Sequence, residues 1–188
     1  MNSRRCNSTS RRIFELTLFS MLGALMFASD IAMEALPNVH IVGMLILAYT
    51  YVFSLKALIP LYVYVFITGL FYGFGIWWGA YLYVWLPLFL LGLLIPRRAP
   101  VALKCVLFPI LNVLHGICFG ILYAPYQALM FGFDFETAVA WVVAGFGFDV
   151  VHAIGNFVSG LLVWPLALAL IRLKRRTGFY PEEKKYSM

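Results

Sequence analysis

The chain of 188 residues is predicted to be an all-α integral membrane protein, with six transmembrane helices in one compact bundle and both termini cytoplasmic. Three observations predict it. Hydrophobic residues make up 63% of the chain and charged residues only 12%, far from the balance of an ordinary soluble domain. The apolar runs are long, and a hydrocarbon core about 30 Å thick needs about 20 such residues per helical crossing. Inside that core only helices and closed barrels satisfy the backbone, and uninterrupted apolar runs select helices. Finally, the Lys and Arg residues fall on alternate connections, as an even number of crossings requires.

The first span is expected over residues 12–35, after which Pro37 and Asn38 turn the chain into a short second span over 40–54. Lys56 marks the next boundary, and a third span over 57–72 ends in the glycine-spaced turn Gly73, Phe74, Gly75. The fourth covers 77–95 and is stopped by Arg97, Arg98 and Pro100. The fifth starts near Val101 and reaches Tyr123 or passes Pro125, before a polar loop from Phe133 to Glu136. From Glu136 to Leu173 a single helix would be about 57 Å long, nearly twice the hydrocarbon thickness, so it must break or lie partly in the interface. Gly145 and Gly147 are the expected break, leaving an outer segment over 136–144 and a sixth span over 148–173.

With a cytoplasmic amino terminus, this count places all 14 Lys and Arg residues inside: Arg4, Arg5, Arg11, Arg12, Lys56, Arg97, Arg98, Lys104, Arg172, Lys174, Arg175, Arg176, Lys184 and Lys185. The outer side carries Glu34, His40, Asp134 and Glu136. The organisation is thus a cytoplasmic tail over 1–11, a membrane domain over 12–173 and a second cytoplasmic tail over 174–188. The net charge of +6 is a topology signal, which argues against nucleic acid as a partner. Ser10, Arg11, Arg12, Ile13 and Phe14 look like a twin-arginine export signal, but the apolar segment behind them is too long for a cleaved leader and further spans follow. Cys6, Cys105 and Cys118 are odd in number and scattered, so they suggest neither a disulfide framework nor a metal knuckle; lipidation is a conceivable use of Cys6.

Ser20, Ala24, Ala28 and Ala32 recur every four residues and form a stripe of small side chains on the first helix. Such a stripe permits close helix approach, either within this bundle or to a separate membrane protein. Together with six spans in under 200 residues, a basic cytoplasmic side and an aromatic outer half, it resembles the substrate-binding S component of an energy-coupling factor (ECF) vitamin transporter. The resemblance covers nearly the whole chain as architecture, and the stretch from Gly69 to Trp85 followed by Pro87 also looks like members of that group. At residue level it rests on Ala24, Ala28 and Ala32, which by resemblance would dock the transmembrane coupling subunit. The resemblance further implies two cytoplasmic ATPase subunits, a bacterial plasma membrane location and a vitamin-like substrate. It carries over no ligand residue.

Residues 69–85, GLFYGFGIWWGAYLYVW, hold eight aromatics, four glycines and no charge. Trp78, Tyr81 and Trp85 are spaced i, i+3, i+7, and Trp77 joins their face through Tyr81. Trp and Tyr anchor many membrane helices at the interface. Trp85, however, would lie about 12 Å below Trp77, deeper than a belt extends, so part of this wall is expected to face protein or ligand. Asp149, His152 and Asn156 repeat the i, i+3, i+7 pattern on the sixth span; a carboxylate facing lipid costs about 2.5–3.5 kcal/mol, so they should face inward, as a structural pair or as ligand contacts. Asn112 and His115 read first as interhelical hydrogen bonding, with Tyr123 and Gln127 higher up as candidate contacts. Asp30 and Glu34 add carboxylates at i, i+4 on the first helix, and Asn38 and His40 follow in the loop.

The outer half holds no Lys or Arg, the residues that usually meet anionic ligands. Acids, His and aromatic faces favour a small neutral or cationic flat heterocycle, held by stacking and by cation–π attraction of about 0.5–2 kcal/mol. No cofactor and no metal is expected. The chain lacks a G-x-x-x-x-G-K-[ST] loop, so energy would have to come from partners. An intramembrane enzyme is disfavoured by the absence of H-E-x-x-H and G-x-S-x-G patterns, and a stand-alone secondary transporter by the lack of an evident inverted repeat. A membrane scaffold resembling the rod-shape-determining membrane protein is the remaining alternative, and it would need no polar, aromatic cavity.

Overall fold

The computed structural model describes residues 8–177. Most of the expected tails, with Arg4, Arg5, Cys6, Lys184 and Lys185, lies outside the described residues. Among those described the chain is helical throughout, and five stretches are long and apolar enough to cross a membrane: residues 9–32, 42–72, 76–94, 101–131 and 135–160.

α1 (Ser8–Ala32) packs along α3 (Leu58–Tyr72). The two run in the same direction. Near the start of α1, Glu15 accepts from Lys56 at 2.7 Å, just ahead of α3; near its end, Asp30 accepts from the Tyr64 hydroxyl at 3.0 Å. Their close approach is made by Gly23, where a Cβ would come within 2.6 Å of Val63 and 2.8 Å of the Pro60 carbonyl oxygen.

Between them in sequence, α2 (Val42–Phe53) buries all 12 of its residues and packs on two later helices, Leu86–Leu94 and Val163–Thr177. A helix apolar all round has no face to give to water or lipid, so it becomes the axis of the bundle. The stretch 42–72 would be about 46 Å long as one helix. It is not one: Ser54 adopts φ 54 and ψ −132, a 3-10 turn over Ser54–Ala57 follows, and α3 returns the way α2 came.

Gly73, at φ 89, ends α3 and leads into α4 (Ile76–Tyr81). The expected fourth span is two helices: a turn over residues 82–85 separates α4 from α5 (Leu86–Leu94). Pro87 supplies the reason. It stands in the first turn of α5 and has no N–H to give the Tyr83 carbonyl, which accepts from Leu86 at 2.9 Å instead. α6 (Val101–Ile117) and α7 (Phe119–Phe131) likewise meet at a break, at Cys118.

The break expected at Gly145 and Gly147 is corrected. α8 (Phe135–Gly160) runs through both glycines without interruption, and neither has an atom within 4 Å of an added Cβ. The chain breaks instead at Leu161 and Leu162, before α9 (Val163–Thr177). Pro165, in the first turn of α9, marks that boundary, since it cannot continue the hydrogen-bond ladder from α8.

The most extensive contact is between α6 and α8, which lie antiparallel. A Cβ on Gly160 would sit 2.6 Å from the Pro109 Cα, and one on Gly116 would sit 3.0 Å from the backbone of Ala153. Between these two points the fully buried Asn112 and Asn156 exchange amides: each side-chain nitrogen donates to the other's backbone carbonyl, at 2.8 and 2.9 Å. Small residues bring the backbones together, and the amides bond where water and lipid are excluded.

Cations collect at one end. The Arg97 guanidinium donates to the Thr50 carbonyl and the Ser54 hydroxyl, Lys104 to the Arg97 carbonyl at 2.9 Å, and Lys174 to the Val52 carbonyl. Arg97 and Lys174 thereby reach carbonyls in the last turn of α2, where the helix carries partial negative charge. Buried Lys104 also lies 4.6 Å from the Trp164 ring centroid.

Candidate functional site

At the opposite end, α1, α3 and α4 part around a cavity of about 470 Å³ lined by Asp30, Glu34, Thr68, Tyr72, Trp77 and Tyr81. Each element is placed by its own local chemistry. Asp30 is held by the Tyr64 hydroxyl, and Glu34 stands one turn further along, past the end of α1. Thr68 is fixed in α3 by its hydroxyl bond to the Tyr64 carbonyl at 2.8 Å, and the Gly73 turn folds α4 back over Tyr72.

The aromatic wall runs along α4 and into the turn after it. Trp77 meets Tyr81 edge-on at 5.3 Å between centroids, and Tyr81 meets Trp85 at 5.8 Å. Trp77 and Tyr81 line the cavity. Trp85, only 2% exposed, belongs to the core beneath it. Trp78 points another way: its indole donates to the Val65 carbonyl at 2.8 Å and packs against Phe74. Gly69 makes room for that pair, since a Cβ there would meet both rings. The Tyr123 hydroxyl donates to the Trp77 carbonyl at 2.8 Å and its ring stacks on Trp141, so it braces the wall from behind. Gln127, half-buried one turn along α7, does not line the cavity.

Asp149, His152 and Asn156 face inward but not into this cavity. Asp149 accepts from the Gly120 N–H through both carboxylate oxygens, at 3.1 and 3.2 Å. Gly120 lies in the first turn of α7, so the carboxylate fills an N-terminal donor that its own helix cannot satisfy. Asn156 is the partner of Asn112 already described. His152 joins His40 and His115, the other two histidines of the chain, in one buried cluster. The His40 and His152 rings are 4.4 Å apart, and His115 stacks on Trp85 at 5.4 Å. His115 Nε2 lies 2.9 Å from the Val84 carbonyl; an oxygen of that kind only accepts, so this nitrogen carries the proton. Among the described residues no group of three His, Cys, Asp or Glu is arranged to hold a metal ion.

Sequence reasoning placed Trp77 and Tyr81 at the site and recognised Asp30 and Glu34 as a pair of acids, but did not join the two. Thr68 and Tyr72 were missed. The signal available was the Gly73, Phe74, Gly75 turn, which must fold the start of α4 against the end of α3.

A second cavity, of about 380 Å³, opens between the 33–41 connection and α8. Apart from His40 and Ser159 its walls are apolar and it offers no charge.

On α1, Ser20, Ala24, Ala28 and Ala32 are all exposed. The face turned to the rest of the bundle carries Phe19, Leu22, Gly23 and Met26 instead. The small-residue stripe is therefore not used in packing within the described chain. No protein-family model, curated protein or solved structure matches this chain.

Proposed function

We propose that the chain is the substrate-capturing membrane subunit of an importer of the energy-coupling factor kind. It binds a small neutral or cationic heterocycle of vitamin type outside a bacterial plasma membrane and releases it on docking to a coupling subunit driven by two ATPases. The observation that carries this reading is the cavity of about 470 Å³ with aromatic and carboxylate walls, at the end of the bundle remote from Arg97, Lys104 and Lys174. A scaffold has no use for such a cavity.

Six crossings, with both termini on the cytoplasmic side, are supported by the reversal at Ser54 and by the gathering of described cations at one end. Those crossings are α1, α2, α3, α4 with α5, α6 with α7, and α8 with α9. Docking through Ala24, Ala28 and Ala32 is supported by their exposure on a face that the bundle leaves uncovered. A subunit of this kind must bind substrate tightly when free and weakly when docked, and docking has to supply the difference.

The test is to purify the chain alone and with candidate coupling subunits, and to identify co-purifying small molecules by mass spectrometry. A ligand that accompanies the chain without a partner supports capture. A stable protein partner with no ligand favours the scaffold.

A further inference from the structure

We infer that the cavity between α1, α3 and α4 is a site for a small organic ammonium ion, its charge held between Asp30 and Glu34 and its apolar body against Tyr72, Trp77 and Tyr81. The inference rests on the capture reading and narrows it to cationic ligands.

Two independent features set the sign of the charge. Asp30, in the last turn of α1, and Glu34, in the turn that follows it, both line the cavity. Tyr64 occupies Asp30 Oδ2 and leaves Oδ1 for a ligand. The cavity also lies at the carboxyl ends of two helices, α1 ending at Ala32 and α3 at Tyr72. Both turn the negative end of the helix dipole towards it. Among the described residues no Lys or Arg lines the cavity to offset them. An anion is repelled from three directions.

The walls distinguish an organic cation from a bare metal ion. A hard divalent ion collects six or more oxygens at short range, whereas here two carboxylates face three aromatic rings across about 470 Å³. Ring faces, the negative side of the aromatic quadrupole, are suited to an alkylated or aromatic ammonium, whose charge is spread and poorly hydrated. Trp77 and Tyr81 already meet at 88°, so a ligand lying against one ring face is flanked by the edge of the other.

The probe is benzyltrimethylammonium chloride, titrated into the purified full chain and followed by calorimetry and tryptophan fluorescence. Benzyl alcohol, sodium benzoate and calcium chloride serve as the neutral, anionic and metal-ion comparisons. The ammonium salt is expected to bind, and the three comparisons neither to bind comparably nor to displace it. Glu34→Gln, at an exposed position, should weaken it about tenfold. Trp77→Leu should weaken it as well. Asp30→Asn should do the same, provided that its unfolding midpoint shows an intact fold; Glu34→Gln keeps the test decisive if it does not. Equal binding of benzyl alcohol, displacement by calcium, or full affinity in Glu34→Gln overturns the inference. A neutral heterocycle that co-purifies and binds equally to Glu34→Gln leaves capture standing and removes only the cationic assignment. If neither the probe nor any co-purifying molecule binds, both readings fall together.

Discussion

Replacing Gly160 with alanine tests the close backbone approach of α6 and α8. The added methyl would stand 2.6 Å from the Pro109 Cα and 3.3 Å from its nitrogen, both backbone atoms of α6. A rotamer change cannot relieve a clash with main chain. To restore ordinary contact the helices must open by roughly 0.8 Å at this point, in an interior whose side chains already interlock. Overpacking of this kind costs about 1–3 kcal/mol. The Asn112–Asn156 amide exchange lies one turn away, and its 2.8 and 2.9 Å bonds leave little slack, so we expect the upper half of that range.

Gly147→Ala on the same helix is the internal control. Nothing lies within 4 Å of its added Cβ, and alanine in a helix interior is favoured over glycine by about 0.5–1 kcal/mol. The two variants therefore shift stability in opposite directions. The assay is unfolding of the detergent-solubilised chain by sodium dodecyl sulfate, followed by circular dichroism. If Gly160→Ala unfolds at or above the wild-type midpoint, the close approach of α6 and α8 is refuted.

Three other outcomes follow from the same geometry. Ala28→Leu places a bulky side chain on the exposed face of α1; if the proposed docking holds, it should abolish uptake in cells that supply the coupling module while leaving ligand affinity in the purified chain unchanged, and loss of affinity alone would mean internal packing instead. Asn156→Ala removes the 2.9 Å bond to the Asn112 carbonyl and leaves a hole at a fully buried position, and should lower stability by about 1–2 kcal/mol in the same titration. Asp134 caps α8 by accepting from the Thr137 N–H at 2.8 Å, and hydrogen bonding from Thr137 holds its carboxyl below the usual aspartate range. Its contribution is therefore complete above the ordinary aspartate pKa and fades as pH falls through the lowered folded value. Amide exchange at Thr137 should show that loss of protection in acid, and Asp134→Ala should show it already at neutral pH.

The fold was legible where the sequence punctuates itself. Gly73 and Gly75 ended α3 where expected, and the polar loop from Phe133 to Glu136 holds the start of α8. The breaks at 82–85 and 161–162 were less legible because each proline sits inside the new helix, two or three residues after the break it causes. Gly145 and Gly147 misled for the complementary reason. A glycine weakens a helix by less than 1 kcal/mol or so, which the surrounding apolar residues readily override, whereas a proline removes a donor outright. At the site, spacing revealed which residues share a face but not which face meets which. Asp149, His152 and Asn156 were recognisable as an inward face. Their opposite numbers, Gly120, His115 and Asn112, could be identified only once α6 and α7 lay antiparallel to α8.

That pairing explains why the cavity lies off the axis of the bundle. α2 fills the axis and is apolar on every side, so no polar ligand can be accommodated around it without stranding backbone or charge. The polar groups of α8 cannot provide a site either, because Asp149 is engaged in capping α7 and Asn156 in joining α6. What is left is the side where α1 and α3 run parallel and both stop. Both helix dipoles turn their negative ends towards that side, and α4, only 6 residues long, covers it in part. Asp30, Glu34, Tyr72, Trp77 and Tyr81 surround that gap, so negative potential and aromatic surface meet where no described Lys or Arg lines the wall. On the proposed reading, a docking partner bound along the exposed stripe of α1 would press on the helix that carries Asp30 and leads into the turn with Glu34, which would put the release of a ligand within mechanical reach of docking.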